Sequence, residues 1–257
     1  MNGSLSVVVP AYNEESRLPK TLHRITTYLA SHPGGGELLV VNDGSRDRTA
    51  ELAREFAAQA GTVPVRLLEN PGNRGKGYSV RHGMLATRGD WALFSDADLS
   101  SPIEECDKLL AAAEAKGCDV AIGSRALDRS LIGVHQSVLR ENAGRLFNLF
   151  VRLLTGLDFA DTQCGFKLFR QRAAREIFSR QRLERFGFDV EALYLAHKLG
   201  FRAVEVPVRW DHFEGTKVSM GSDSVNMFLD LWRVRRNDRR GLYEKPGPPD
   251  PLDGSQP

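Results

Sequence analysis

The sequence predicts an α/β fold with a mostly parallel, Rossmann-like sheet and helices on both faces. Short apolar runs recur at Leu5 to Val9, Leu38 to Val41 and Trp91 to Phe94, as in strands buried on both sides. Between them lie segments with helical spacing, such as Leu18, Leu22, Ile25 and Leu29. Each apolar run stops at a polar turn, so the polar residues gather at the carboxyl edge of the sheet, where open α/β sheets bind ligands.

In order along the chain, Pro10 ends the first strand and Ala11 to Glu15 form a polar loop. A helix follows from Ser16 to Ala30, then a glycine turn and the second strand, which ends at Asn42-Asp43-Gly44-Ser45. A helix near Asp47 presents Leu52, Ala53 and Phe56; Val65 to Leu68 is a third strand, and Gly75 to Thr87 a third helix. After Trp91 to Phe94, Ser101-Pro102-Ile103-Glu104 has the pattern of a helix start, with Ser101 as N-cap and Glu104 closing a capping box. Asp119 to Ile122 is a fifth strand, Leu127 to Ser137 a mobile loop, and Arg140 to Leu154 an amphipathic helix of core type. A strand follows the polar run at Asp161, a helix opens near Arg185 and reaches Leu199, and Phe201 to Trp210 alternates as a strand. A polar loop holding Lys217 leads to the last helix, about Ser224 to Arg236. These elements make one domain, residues 1–237, followed by a basic and then Pro/Gly-rich disordered tail, 238–257.

The apolar share (41%) and charged share (26%) of the 257 residues are enough for a substantial core. Thirty-five basic against 33 acidic residues leave +2, which gives no reason to expect a nucleic-acid partner. Cys106, Cys118 and Cys164 are odd in number and widely spaced, against a zinc or disulfide framework and in favour of a reducing compartment. The N-terminus enters its first strand without a signal-peptide pattern, and no stretch nears the ~18 apolar residues that span a bilayer. The expected location is cytoplasmic, either free or peripheral on the cytoplasmic membrane face.

The stretch with the clearest chemistry is Ser95-Asp96-Ala97-Asp98, two carboxylates at the end of a buried strand. Hard oxygen ligands with open positions suit Mg²⁺ or Mn²⁺ shared with substrate phosphates; an Asp turn with a loop cap is the plainer alternative. Asn70 to Gly77 fails the P-loop spacing, yet it can offer backbone N–H groups and Lys76 to an anion at a helix start, or be a simple glycine turn.

Together Val7 to Glu14, Val41 to Ser45 and Asp96-Ala97-Asp98 resemble the GT-A glycosyltransferases of family 2. Asp161-Thr162-Gln163-Cys164-Gly165-Phe166-Lys167 and Phe188-Asp189-Val190-Glu191 resemble one branch of it, the dolichyl-phosphate β-glucosyltransferases. The similarity covers roughly residues 5 to 235. Eukaryotic members of that branch carry an N-terminal membrane anchor, whereas this sequence begins at the first strand. The resemblance implies a GT-A fold and an inverting, metal-dependent transfer of glucose from UDP-glucose to a dolichyl or polyprenyl phosphate. It implies that Pro10, Tyr12, Glu14, Asp43, Lys76, Asp96 and Gln163 hold the nucleotide sugar, with Asp43 receiving the uracil N–H, a role an acceptor-only carboxylate can fill. Asp96 and Asp98 would hold Mg²⁺ or Mn²⁺ against the diphosphate.

The acceptor decides what else is required. A sugar hydroxyl needs a general base, for which Asp161 and Asp189 are the candidates. A lipid phosphate, with a second pKa of about 6, needs cations instead; Arg125, Arg140 and Lys217 are the candidates, although any of them can equally be a surface charge. The last helix combines Phe228, Leu231 and Trp232 with six Lys/Arg against two Asp/Glu between Arg233 and Lys245. That pattern suits peripheral contact with an anionic bilayer, or a core helix with a solvated charge run. Alternatives within the class are a polyprenyl-phosphate mannose synthase using GDP-mannose and a transferase with a hydroxyl acceptor. A sugar-nucleotide pyrophosphorylase would need a Gly-rich loop after the first strand, which Pro10 to Glu15 is not. A non-catalytic binding protein would have lost a metal carboxylate, and both are present.

Overall fold

The computed structural model of the protein describes residues 3–59, 61–134, 138–211 and 222–247. Its strands are β1 Leu5–Ala11, β2 Gly36–Asn42, β3 Val65–Glu69, β4 Trp91–Ser95, β5 Val120–Ser124, β6 Ile132–Val134, β7 Phe166–Arg170, β8 Ala203–Pro207 and β9 Trp210–Asp211. Its helices are α1 Leu18–Ser31, α2 Thr49–Gln59, α3 Lys76–Ala86, α4 Cys106–Lys116, α5 Val138–Thr155, α6 Gln171–Arg180, α7 Phe188–Lys198 and α8 Ser222–Arg239. Among the described residues the main sheet has seven strands in the order β3-β2-β1-β4-β7-β5-β8.

Period-two alternation sends neighbouring strand residues to opposite layers. Val7 and Val9 of β1 pack with Leu22 and Ile25 of α1 and Leu109 of α4. Val8 packs on the other face with Val80 and Met84 of α3, Ile177 of α6, Leu193 of α7 and Leu231 of α8. The expected α/β sheet with helices on both faces is therefore present.

Two features of the sheet position the site. After β3 the chain crosses back over β1 to lay β4 on its other side, so the switch in strand order falls between the carboxyl ends of β1 and β4. In addition, β7 runs antiparallel between β4 and β5, with Ser95 opposite Phe166. A parallel strand would send the preceding loop to the far edge. The antiparallel one brings residues 161–165 beside the ends of β4 and β5.

Local expectations gave way at several points. β1 runs through Pro10 to Ala11, because its pairing with β4 ends at Val8 and with Phe94. The N–H that proline lacks thus falls where the strand has one neighbour only. The capping box at Ser101 does not form: a 3-10 turn, Ile103–Glu105, precedes α4, and Glu104 pairs with Arg24 of α1 at 2.8 Å instead. The segment expected as a mobile loop contains a 3-10 turn, Arg129–Leu131, and β6, which pairs with β9; residues 135–137 of it lie outside the described residues. Helix α6, which sequence patterning left unassigned, buries Ala173, Ala174, Ile177 and Phe178. The boundary at 237 falls inside α8, and the chain beyond it stays on the domain as far as Gly247, with Tyr243 fully buried.

Helix α3 reaches β1 closely through Gly83, where a Cβ would collide with Val8. Gly83→Val is expected to lower the free energy of unfolding by ~1–3 kcal/mol through overpacking, read as a drop in the urea midpoint without a change in m-value.

Candidate active site

Asp96 and Asp98 stand on the turn that ends β4. Thr21 of α1 donates to the Ala97 carbonyl at 2.6 Å, Leu99 N–H to the Asp96 carbonyl at 3.1 Å, and Ser100 N–H to Asp98 Oδ1 at 2.9 Å. Leu99 takes a left-handed conformation (φ 49°) while its side chain stays buried. Such backbone costs ~1–3 kcal/mol and persists only where its surroundings impose it. Across the switch point Asn13, at the end of β1, is left-handed too (φ 53°) and receives Arg46 N–H at 2.8 Å. Glu14, adjacent and buried, pairs with Arg17 at 2.7 Å, and Arg17 reaches Asp98 at 3.9 Å. Pro10, Tyr12 and Glu14 thus lie on one wall of a crevice and Asp96 and Asp98 on the other.

Asp43, at the end of β2, is buried and accepts three hydrogen bonds: from Asn70 Nδ2 at 2.8 Å, Arg74 N–H at 2.9 Å and Gly75 N–H at 2.8 Å. Asn70 in turn meets Ser79 at 2.9 Å and His82 at 2.9 Å. This network holds the 70–77 loop so that Lys76, at the start of α3, sits 2.5 Å from Asp96 Oδ1. Burial pulls the Lys76 ammonium down, but Asp96, Asp189 and Asp98 more than offset it and hold it above its ordinary value.

The third wall is the loop before β7. Arg125, leaving β5, forks onto Asp161: Nε donates to Oδ2 at 2.6 Å and Nη2 to Oδ1 at 2.8 Å, while the Arg125 N–H also donates to Oδ2 at 3.1 Å. Burial raises the Asp161 carboxyl, but the guanidinium outweighs it and holds that carboxyl down at about 2. Arg125 also lies over the Trp210 ring, 5.4 Å from its centroid. Glu205 of β8 fixes the backbone here by accepting from the N–H groups of Ala160 (2.8 Å) and Asp161 (2.7 Å). Gln163 keeps a buried side-chain N–H₂ without a partner among the described residues. Gly165 has no room for a Cβ, which would strike the Asp96 carboxylate.

Beneath the crevice Lys167, fully buried in β7, donates to Asp189 Oδ1 and, at 2.6 Å, to the Cys164 carbonyl. Burial pushes the Asp189 carboxyl up, while Lys167 and Lys76 pull against it.

The structure therefore brings Asp43, Lys76, Asp96, Asp98, Arg125, Asp161, Gln163 and Asp189 to one carboxyl edge. Arg140 belongs to α5, its side chain outside the description, and Lys217 lies outside the described residues. Sequence reasoning missed Arg17, Asn70, His82, Lys167, Glu205 and Trp210. Of these Asn70 carried a signal, as the residue opening the glycine-rich loop, and so did Lys167, as the last residue of the motif that begins at Asp161.

The described residues hold no group of three or more His, Cys, Asp or Glu side chains fit for a metal. Two aspartates suit instead a dication completed by phosphate oxygens and water. Lys76 already lies against one of them as a cation, so the donor set fits such an ion.

A switch-point crevice in an α/β sheet with paired aspartates at its rim is the arrangement that the resemblance to GT-A glycosyltransferases implies. The family model described as glycosyl transferase family 2 matches residues 6–178, and the chain belongs to that family. Among curated relatives it is 41% identical over 241 residues to the dolichyl-phosphate beta-glucosyltransferase of Drosophila melanogaster, covering 90% of this chain and 74% of that one. It is 36% identical over 255 residues to the enzyme of the same name from Homo sapiens, covering 93% and 77%. Glucosyl-3-phosphoglycerate synthase from Mycobacterium tuberculosis, solved with Mn²⁺, UDP and glucosyl-3-phosphoglycerate, shares the fold with TM-score 0.66 at 19% identity, covering 90% of this chain and 80% of that chain. Mannosyl-3-phosphoglycerate synthase from Rubrobacter xylanophilus does so with TM-score 0.64 at 20% identity, covering 97% and 78%.

The Asp161 carboxyl, held at about 2 when folded, supplies stability above an unfolded value of 3.8 that is lost as pH falls toward 2. Wild type should exceed Asp161→Asn by ~2 kcal/mol or more near neutrality, because the variant also leaves the Arg125 charge unpaired. The gap should narrow as urea midpoints are taken from pH ~5 down to ~2.5.

Proposed function

We propose that this protein transfers glucose from UDP-glucose to a polyprenyl or dolichyl phosphate, with inversion at the sugar carbon. The observation that carries the acceptor assignment is the state of the two carboxylates that could act as a base. Asp161 is clamped by Arg125 with its carboxyl at about 2, and Asp189 is bound to buried Lys167. A hydroxyl nucleophile would need one of them as its base although a cation already lies against each, whereas a phosphate oxygen arrives already ionised. The names of the relatives, dolichyl-phosphate beta-glucosyltransferases, support the same reading.

In this mechanism an acceptor phosphate oxygen attacks the anomeric carbon. The carbon–oxygen bond to UDP breaks, and UDP leaves with the electron pair. Asp43 has one acceptor position left after its three protein bonds, and that position takes the uracil N–H. Lys76 meets the diphosphate, and Asp96 and Asp98 would hold Mg²⁺ or Mn²⁺. Such an ion, when bound, neutralises the charge growing on the departing diphosphate; the structures of family-fold neighbours with Mn²⁺ or Mg²⁺ support it. Gln163 turns its unpartnered N–H₂ to the sugar. The outer nitrogen Nη1 of Arg125 makes no hydrogen bond among the described residues, so it can take the acceptor phosphate while Asp161 keeps the guanidinium plane fixed.

A membrane-facing side fits a lipid acceptor. The apolar residues first assigned to the last helix do not all face outward: Leu231 is buried and Phe228 packs edge-on against Phe147 and Phe150 of α5. Exposed instead are Leu146, Leu149, Phe150 and Leu153 of α5 with Leu229 and Trp232 of α8, flanked by Arg152, Arg233 and Arg236. Among the described residues no helix is long and apolar enough to cross a membrane. We assign this ridge to peripheral contact with an anionic bilayer on the cytoplasmic face, where nucleotide sugars are supplied.

The deciding experiment measures glucose transfer from UDP-glucose to a short-chain polyprenyl phosphate. Asp98→Asn should abolish it and remove the metal contribution to UDP affinity. Arg125→Ala should weaken acceptor use, whereas Asp189→Asn and Asp161→Asn should retain measurable turnover. A dead aspartate variant beside a near-normal Arg125→Ala, or turnover with GDP-mannose in place of UDP-glucose, would favour the hydroxyl or mannosyl alternative.

The ridge is tested separately by co-sedimentation. Leu153→Glu with Trp232→Glu should lose binding to vesicles containing phosphatidylserine, while transfer to a detergent-soluble acceptor is retained; unchanged vesicle binding would remove α5 and α8 as the contact.

A further inference from the structure

The part of the chain that composition marks as a tail contributes Tyr243 to a buried bond behind the site. Tyr243, fully buried, donates its hydroxyl to Glu191 Oε1 at 2.6 Å. The other oxygen of Glu191, which is equally buried, accepts the N–H groups of Arg182 (3.0 Å) and Leu183 (2.8 Å). Arg182 also donates from Nη2 to the Leu242 carbonyl at 2.9 Å and the Lys245 carbonyl at 3.2 Å. One side of segment 181–184 is thus held by α7 and residues 242–245.

Its other side is bonded to the loop that carries Lys76. Gln181 donates to the Gly77 carbonyl at 2.9 Å, the Glu184 carbonyl receives Tyr78 N–H at 3.0 Å, and the Glu184 side chain pairs with Arg74 at 2.6 Å. Gly75 and Gly77 lie so close that a Cβ on either would strike the Glu184 or Leu183 carbonyl. Segment 181–184 is therefore a spacer with no slack between Glu191 and the Lys76 loop.

We propose that Glu191 and Tyr243 are positioning residues for the nucleotide-sugar donor. They act through segment 181–184 to set where Lys76 meets the diphosphate, so that residues 240–247 belong to the catalytic unit. Neither touches Lys76, and three donors converge on a carboxylate that makes no direct ion pair among the described residues, the Arg182 charge acting on it from further off. Burial pushes that carboxyl up to about 7, with the Tyr243 hydroxyl and the two N–H groups pulling it back, so each donor matters to keeping it ionised. The inference rests on the assignment of Lys76 to the donor diphosphate.

The test compares UDP affinity by calorimetry, with Mn²⁺ present and well below the unfolding transition, in wild type, Tyr243→Phe and Glu191→Gln. Tyr243→Phe keeps the ring and loses one hydroxyl. It should weaken UDP binding and raise the KM for UDP-glucose by about 5- to 20-fold, part of the effect of one charge-assisted hydrogen bond because the loss is passed on through segment 181–184. The KM for polyprenyl phosphate should stay within about twofold, and adding Glu191→Gln should cost less than in wild type because the two act as one unit. A lower Tm with unchanged UDP affinity in both single variants makes the bond merely structural and overturns the proposal. Hydrogen exchange on the wild-type chain keeps the test open should a variant not fold. UDP should slow exchange at 181–184 and 242–247 as well as at 74–78, and protection confined to 74–78 overturns it. Failure of wild type to bind UDP at all would instead refute the donor assignment.

Discussion

A lysine with no solvent must have a counter-charge, and Lys167 places that demand at the centre of the molecule. It is the second residue of β7 and lies fully buried, and breaking such a buried pair costs ~3–5 kcal/mol. Asp189 therefore has to lie above it, which seats the first turn of α7 on the sheet. Seating α7 fixes the segment entering it, and that segment fixes the Lys76 loop. The same lysine reaches the Cys164 carbonyl, so it holds the loop containing Gln163 and Gly165 as well. One buried ion pair thus holds both the Lys76 loop and the wall before β7.

The other two walls are set by strand order. Because β1 and β4 are neighbours whose connections leave in opposite directions, the loops after them part and leave a gap between. Both loops contain a left-handed non-glycine residue, Asn13 on one side and Leu99 on the other. Asn13 is accommodated by its own side-chain hydrogen bonding. Leu99 is accommodated because its side chain is buried in the core, which makes the aspartate turn part of the packing of α1 and α4.

What was legible in the sequence were features encoded within a few residues: the strand-then-carboxylate turns at Asp43, Asp96 and Asp98, and the helical spacing of α1, α5 and α7. What stayed hidden needed a partner far along the chain. Lys167 in an alternating strand reads as a solvent-facing residue until Asp189 is placed over it. Glu104 satisfies a capping pattern but is taken by Arg24. The direction of β7 has no local signature, since it follows from β5 ending and β7 beginning at the same edge of the sheet. Tyr243 is a single core residue in a basic stretch, and a single burial has no period to detect.

Asp43 has a consequence for the order of events. Three of its acceptor positions hold Asn70, Arg74 and Gly75, the residues that lead into Lys76. On the donor assignment proposed above, a base docking on the remaining position would brace the loop that takes its own phosphates. Recognition of the nucleotide and rigidity at the diphosphate are a single mechanical event. On that assignment a compulsory order would follow, with the donor bound first and the acceptor second.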